Sequence, residues 1–147
     1  MNRQFPPHFL FGTSTAAAQI ETADGHDWQG VVARDGHRFD RTTDHELRHA
    51  EDARIIAELA PAYRMGLSWS RLQRGPGQPL DPTVTAEYRH LLEDLRRRNV
   101  SIMMVLHHFA NPQWFNALGG WEKKENISLF VDFGKQVVDT FGDYVSH

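Results

Sequence analysis

The sequence predicts an α/β fold in which parallel strands alternate with helices. Three observations carry that expectation. Short apolar runs alternate with long amphipathic stretches, and the long stretches have helical spacing. Ile102 to Leu106 is a continuous apolar run, which suits a strand buried on both faces of a parallel sheet. The order reads β-α-β-α-β-α, with right-handed crossovers between the strands.

Each element has a local reason. Phe9-Leu10-Phe11 is a short apolar run closed by Gly12 and reads as the first strand. The stretch from Glu21 to Thr43 is rich in Gly, Asp and His and reads as a long loop. Asp44 is placed to cap a helix running to about Leu59, with Ala53, Ile56 and Leu59/Ala60 on one face; Pro61 ends it. Ala62 to Trp69 reads as the second strand, followed by the loop R-G-P-G-Q-P-L. Asp81-Pro82 combines a capping residue with a proline at the first helical position. Val84, Tyr88, Leu91, Leu92 and Leu95 then recur at helical spacing, and Asn99 can close that helix. After the third strand, a loop through Gly119-Gly120 leads to a helix from about Asn126 to Phe141, ended by Gly142.

Composition narrows the function. The chain has 147 residues, 40% hydrophobic and 24% charged, which fits one soluble domain over 1–147 with no second domain. Its net charge of −3 offers no basic footprint for nucleic acid. The one basic run, Arg96-Arg97-Arg98, ends a helix and comes after Glu93 and Asp94 at the spacing of a solvated helix end. There is no cysteine, so disulfides, thiolate catalysis and thiolate metal sites are excluded. No signal-peptide core and no bilayer-length apolar run occur, so no membrane partner is expected and the default location is cytoplasmic.

One local motif invites a metal reading. D-H-E-L-R-H (Asp44 to His49) contains H-E-x-x-H, in which His45 and His49 share a helix face and Glu46 is placed as a base. A zinc peptidase is therefore an alternative, but Asp52 and Ile55 stand where an extended zinc motif needs Gly and a third His. A stronger pattern lies at the strand ends, where parallel α/β sheets hold their sites. Gln19 and Glu21 come after the first strand, Arg71 after the second, and His107, His108 and Asn111 after the third. His107 and His108 are adjacent on a strand end and point to opposite faces, so one is expected at the rim and the other outside. Each of these residues alone also has a plain structural reading, a hydrogen-bonded histidine or an ion-paired arginine.

The stretches Phe9 to Ala23, Tyr63 to Leu72 and Leu106 to Phe115, in that order along the chain, together resemble glycoside hydrolase family 1, the β-glucosidase family. F-L-F-G-T-S-T-A-A-A-Q-I-E-T-A (Phe9 to Ala23) is similar to its N-terminal signature, except that Ala18 stands where an aromatic, Asn or His is expected. Y-R-M-G-L-S-W-S-R-L (Tyr63 to Leu72) and L-H-H-F-A-N-P-Q-W-F (Leu106 to Phe115) resemble its second and third strands. G-G-W-E-K-K-E and F-G-D-Y-V resemble the family's segments beyond the third strand. The resemblance implies the first three βα units of a TIM (β/α)8 barrel, a retaining β-glycosidase activity on a β-glycoside or oligosaccharide, and no cofactor. It implies that Gln19 and His108 bind glycone hydroxyls and that Arg71 keeps the nucleophilic carboxylate ionised. Phe109 stands for the family's tryptophan, keeping a stacking face without the indole N–H. The loop before Asp44 and the turn at Ala60-Pro61 look shorter than usual.

A retaining glycosidase needs two carboxyl groups about 5–5.5 Å apart. In the family these lie in N-E-P and E-N-G motifs, and neither motif occurs in this sequence. Glu21 matches a residue the family uses structurally. The 147-residue chain alone is therefore expected to be inactive. It is also expected to be marginally stable, to self-associate, or to need a C-terminal barrel portion as partner, because its outer strands would be open edges. A non-catalytic sugar-binding or assembly role is the alternative.

Overall fold

The computed structural model describes residues 4–147 and contains a parallel sheet of three strands in the order β1-β2-β3. β1 is Gly12–Ser14, β2 Ala62–Gly66 and β3 Ser101–Val105, with Gly12 opposite Ala62 and Ala62 opposite Ser101. A single helical turn, α1 (Ala17–Ile20), succeeds β1, and α2 (His45–Leu59) returns the chain to β2. The turn α3 (Trp69–Leu72) and helix α4 (Pro82–Arg97) lead to β3, and α5 (Gln113–Ala117) and α6 (Ile127–Phe141) come after it. The alternation expected from the sequence is present, and it is that of the first three units of a TIM barrel.

Strand alternation decides where the core lies. Tyr63, Met65 and Ile102 turn toward the helices and are buried, at 1%, 2% and 0% exposure. They meet the apolar stripe of α4, where Val84, Tyr88, Leu91, Leu92 and Leu95 are all buried, and Phe133, Val137 and Phe141 of α6. On the other face, Gly12, Ser14, Ala62, Arg64, Ser101 and Met103 line an open hollow. β3 is thus not buried on both faces as its apolar run suggested, because Met103 is 43% exposed on the side no helix covers.

Helix α4 begins as its sequence predicts. Asp81 accepts from the N–H groups of Thr83 (2.9 Å) and Val84 (3.1 Å), and Pro82 takes the first turn. Asn99 closes it in the left-handed region, at φ 61°.

Three boundaries differ from expectation, each for a physical reason. The first strand is Gly12–Ser14 and not the Phe9–Phe11 run. A Cβ at Gly12 would stand 3.0 Å from the Ala62 carbonyl oxygen, so pairing starts where the side chain is absent, and Phe9 and Phe11 instead cluster with Phe5 at the surface in tilted and edge-to-face contacts. The second strand stops at Gly66, because Trp69 starts a helical turn in which its indole N–H donates to Gln73 at 2.9 Å. Asp44 stands before α2 but does not cap it. Its backbone is left-handed (φ 58°) and its carboxylate takes Arg41 in a two-pronged pair at 2.6 and 2.5 Å.

The ladder continues past the named strands. The N–H groups of Ser146 and His147 donate to the Ile102 carbonyl at 2.8 and 3.2 Å, and Met104 N–H donates to the His147 carbonyl at 3.2 Å. That alternation is parallel pairing on the free side of β3. Among the described residues no helix is long and apolar enough to cross a membrane.

Candidate functional site

The carboxyl ends of the three strands lie side by side, so the residues just past them share one rim. Two layers of polar chemistry meet there, one buried and one around a small cavity.

The buried layer centres on Arg71, 5% exposed, on the turn α3. Its terminal nitrogens donate to Glu21 at 2.6 Å and to Glu87 of α4 at 2.5 Å. The Tyr88 hydroxyl adds bonds to both Glu21 oxygens, at 2.9 and 2.7 Å, and itself accepts the Ser68 N–H at 2.9 Å. Burial pushes the Glu21 carboxyl up, and the Arg71 guanidinium and Tyr88 hydroxyl pull against that shift. Arg71 is held more firmly protonated than usual by Glu21, Tyr88 and Glu87, against the opposing effect of its burial. Glu21 therefore serves as a buried counter-ion, in keeping with a structural role. Arginine has five N–H donors, so two ion pairs leave others for a further acceptor.

The H-E-x-x-H residues border this layer. His45 is 3% exposed and its Nδ1 pairs with Asp52 at 2.6 Å, while its ring lies 4.8 Å from that of His49. His49 faces Tyr88 at 6.5 Å, and burial, reinforced by His45 and Arg71, lowers its pKa to about 4. Glu46 accepts the Thr22 N–H at 3.1 Å, tying α2 to the loop after β1. Among the described residues, no three His, Cys, Asp or Glu side chains are grouped to hold a metal ion. The motif's side chains pack α2 around the Glu21–Arg71 pair, and His45 is a buried residue of that packing.

The second layer surrounds a small cavity of about 10 Å³, lined by Ala17, Ala18, His26, Ser68, Trp69 and His108, among others. His108 lies over the sheet, its Cβ 3.7 Å from the point where a Cβ on Gly66 would sit, and its Nδ1 is buried with no hydrogen-bond partner among the described residues. His107 points the opposite way, as strand-end alternation requires. Its Nε2 pairs with Asn111 at 3.0 Å, and its ring packs against Trp121 at 5.3 Å and Phe130 at 6.0 Å. Phe109 is 42% exposed with its backbone at φ 52°, a strained setting for a bulky residue. Its ring meets Trp28 at 5.8 Å, and Trp28 meets Phe39 at 5.5 Å, forming an aromatic strip beside the cavity. Gln19 is exposed at the end of α1.

Of the sequence-derived residues, His108 and Phe109 are neighbours past the end of β3, Gln19 stands past the end of β1 with β2 between them, and Arg71 lies beneath in the buried layer. Sequence reasoning missed His26, Tyr88 as a polar group, and Glu87. Tyr88 reads in sequence as part of an apolar stripe, which its ring satisfies while its hydroxyl reaches the ion pair. Glu87 precedes it on α4 and carries no separate signal.

Comparison with known proteins places this arrangement. The model for glycosyl hydrolase family 1 matches residues 1–147. Beta-glucosidase 11 of Arabidopsis thaliana is 33% identical over 97% of the chain and 30% of its own length. Myrosinase 1 of Brevicoryne brassicae is 31% identical over 99% of the chain and 34% of its own length. Among solved structures, the psychrophilic beta-glucosidase BglU from Micrococcus antarcticus superposes with a TM-score of 0.88 at 30% identity, over 97% of this chain and 33% of that one. The family 1 b-glucosidase from Thermotoga maritima gives a TM-score of 0.89 at 25% identity, over 96% and 34%. The chain thus spans about a third of the length of the relatives it matches. With a family model covering every residue and the same partial barrel in the solved relatives, the chain belongs to glycosyl hydrolase family 1.

Proposed function

We propose that residues 1–147 supply the first three βα units and part of the sugar subsite of a retaining β-glycosidase that hydrolyses O-glycosidic bonds. The observation that carries this reading is the rim itself. A histidine whose Nδ1 lacks a partner among the described residues lines a small cavity of about 10 Å³, beside exposed aromatic faces and over a firmly held buried arginine. That combination suits a sugar, whose C–H face packs on aromatic rings while its hydroxyls need polar partners. His108 and Gln19 bind glycone hydroxyls, Phe109 stacks, and Arg71 directs a fixed positive charge toward the site of the nucleophilic carboxylate.

Double displacement needs an acid/base and a nucleophile, and neither family motif for these carboxylates is in the sequence. The chain therefore contributes binding and electrostatic support, and alone turns over no glycoside. Its partners are a β-glycoside or oligosaccharide and the C-terminal portion of the barrel, or a second copy when that portion is lacking. The test joins the chain, covalently or by mixing, to the C-terminal segment of a family relative and assays an aryl β-glucoside. Turnover is expected, with a loss of at least about tenfold on Gln19→Ala or His108→Ala. These two variants leave the buried Glu21–Arg71 pair intact, so a loss reports on the site. Turnover indifferent to both, or none at all, overturns the catalytic reading. Glucose binding without turnover would favour a non-catalytic sugar-binding role.

A further inference from the structure

Two buried ring nitrogens, Nε2 of His26 and Nδ1 of His108, have no hydrogen-bond partner among the described residues, and the two histidines line one small cavity. His26 lies in the long loop between α1 and α2 and is 2% exposed. Its backbone is stapled to the segment after β3. Asp27 N–H donates to the Asn111 carbonyl at 2.9 Å, Gln113 N–H to the Gly25 carbonyl at 2.8 Å, and the Gln113 side chain to the His26 carbonyl at 3.2 Å. The loop that carries His26 and the segment that carries His108 are therefore held in a fixed relation.

The polar groups of the cavity wall have fixed directions. The backbone N–H of Trp28 donates to His26 Nδ1 at 3.0 Å, so the neutral ring carries its proton on Nε2 and is a donor there. Burial lowers the His26 pKa against the opposing pull of Asp27 and Asp24, which favours that neutral ring. Ser70 Oγ donates to the Asp24 carbonyl at 2.8 Å, so in the Ser68–Ser70 hydroxyl pair, 3.3 Å apart, Ser68 is the donor and keeps its lone pairs free. At about 10 Å³ the cavity has the size of one water. A buried water makes about three hydrogen bonds, and this wall supplies a donor in His26 Nε2–H and acceptors in His108 Nδ1 and the Ser68 hydroxyl.

We propose that the cavity is a site for one ordered water, through which His26 acts as a positioning residue that fixes the tautomer of His108. The water accepts from His26 Nε2–H and donates to His108 Nδ1, which leaves the His108 proton on Nε2. Were His108 Nδ1 protonated instead, two N–H groups would converge on one water oxygen. The side-chain acceptors then left on the wall would be serine oxygens already in a hydrogen bond. The relay runs from the Trp28 backbone through His26 and the water to a histidine whose ring is partly exposed at the rim. On the sugar-binding reading above, it makes His108 Nε2–H a donor toward a glycone hydroxyl; the relay itself stands on the cavity alone.

The test uses the chain as it stands, labelled with ¹⁵N histidine, with no sugar present. Long-range ¹H–¹⁵N spectra should show both His26 and His108 with the proton on Nε2, and His26 Nε2–H should cross-relax with a long-lived water. His26→Phe should lower the ratio of Nε2–H to Nδ1–H tautomers of His108 about tenfold, the worth of one hydrogen bond. His26→Gln, whose amide supplies a donor to the water and an acceptor for Trp28, should keep that ratio within about threefold of the unaltered chain. If His26→Phe fails to fold, the water contact and the His26→Gln ratio decide. A His108 proton on Nδ1 in the unaltered chain, no water contact at His26, or a ratio indifferent to His26→Phe overturns the relay. Titration with methyl β-glucoside then tests the sugar reading separately, since a fixed tautomer without sugar binding sinks that reading and leaves the relay standing.

Discussion

The buried Glu21–Arg71 pair makes single side chains unusually consequential. Arg71→Ala would leave a carboxylate at 2% exposure with only a tyrosine hydroxyl beside it, and removing one partner of such a pair costs about 3–5 kcal/mol. Chemical denaturation should show that loss, and Arg71→Ala combined with Glu21→Leu should recover part of it. His49 gives the clearest pH dependence. Its folded pKa of about 4 lies below the ordinary value of 6.5, so between those values the unfolded chain binds a proton that the folded chain does not. Its contribution is intact above pH 6.5 and is lost as pH falls toward 4. Denaturation from about pH 7 to about pH 4.5 should show a loss on the order of 2 kcal/mol that His49→Asn removes. Glu21, whose pKa is raised, works in the opposite direction as pH falls, so the difference between the two proteins isolates His49.

At the scale of elements, two aspartates at helix starts should behave differently. Asp81 accepts two backbone N–H groups of α4, and Asp81→Ala should lower stability by about 1 kcal/mol. Asp44 accepts none from α2, so Asp44→Asn, which keeps a residue tolerant of the left-handed backbone, should change it by less than about 0.5 kcal/mol, with the Arg41 pair largely exposed to solvent and weak. Thermal melts of the two variants side by side check the contrast. This difference also marks where the sequence was legible. Helix α4 was readable because cap, proline and apolar stripe agree with one another. The start of α2 was readable as a position, but its cap was not, since Arg41 competes for the carboxylate from three residues upstream. The first strand was misplaced because three apolar residues outweigh a glycine in any local reading. Pairing distance chose the glycine. Among the candidate residues, the positions of Gln19, Arg71 and His108 past the strand ends were legible because strand ends are fixed by the fold. His26 was not, because a lone histidine in a polar loop has no period, and its place depends on the staple to Asn111 and Gln113.

For the whole molecule, the helix-covered and open faces of the sheet set its behaviour in solution. The open face carries exposed Met103 beside Leu10, which is 49% exposed, and β1, the outer strand at the other side of the sheet, offers a further edge. Such a surface promotes association. Sedimentation velocity should therefore show average mass rising with protein concentration, and Met103→Lys should shift the distribution toward monomer. A single concentration-independent monomer would contradict this expectation.

The pairing of Ser146 and His147 with Ile102 and Met104 bears on how chimaeras of this chain should be built. Parallel strands have a side-chain period of two, so a shift of one residue exchanges inward and outward faces along a whole strand. Because His147 already bonds on both sides of one residue of β3, a segment grafted after it inherits its alignment without a search. Inserting one residue at that junction should abolish recovery of activity, while inserting two should spare part of it. The last residues thus act as a ruler for whatever strand comes next.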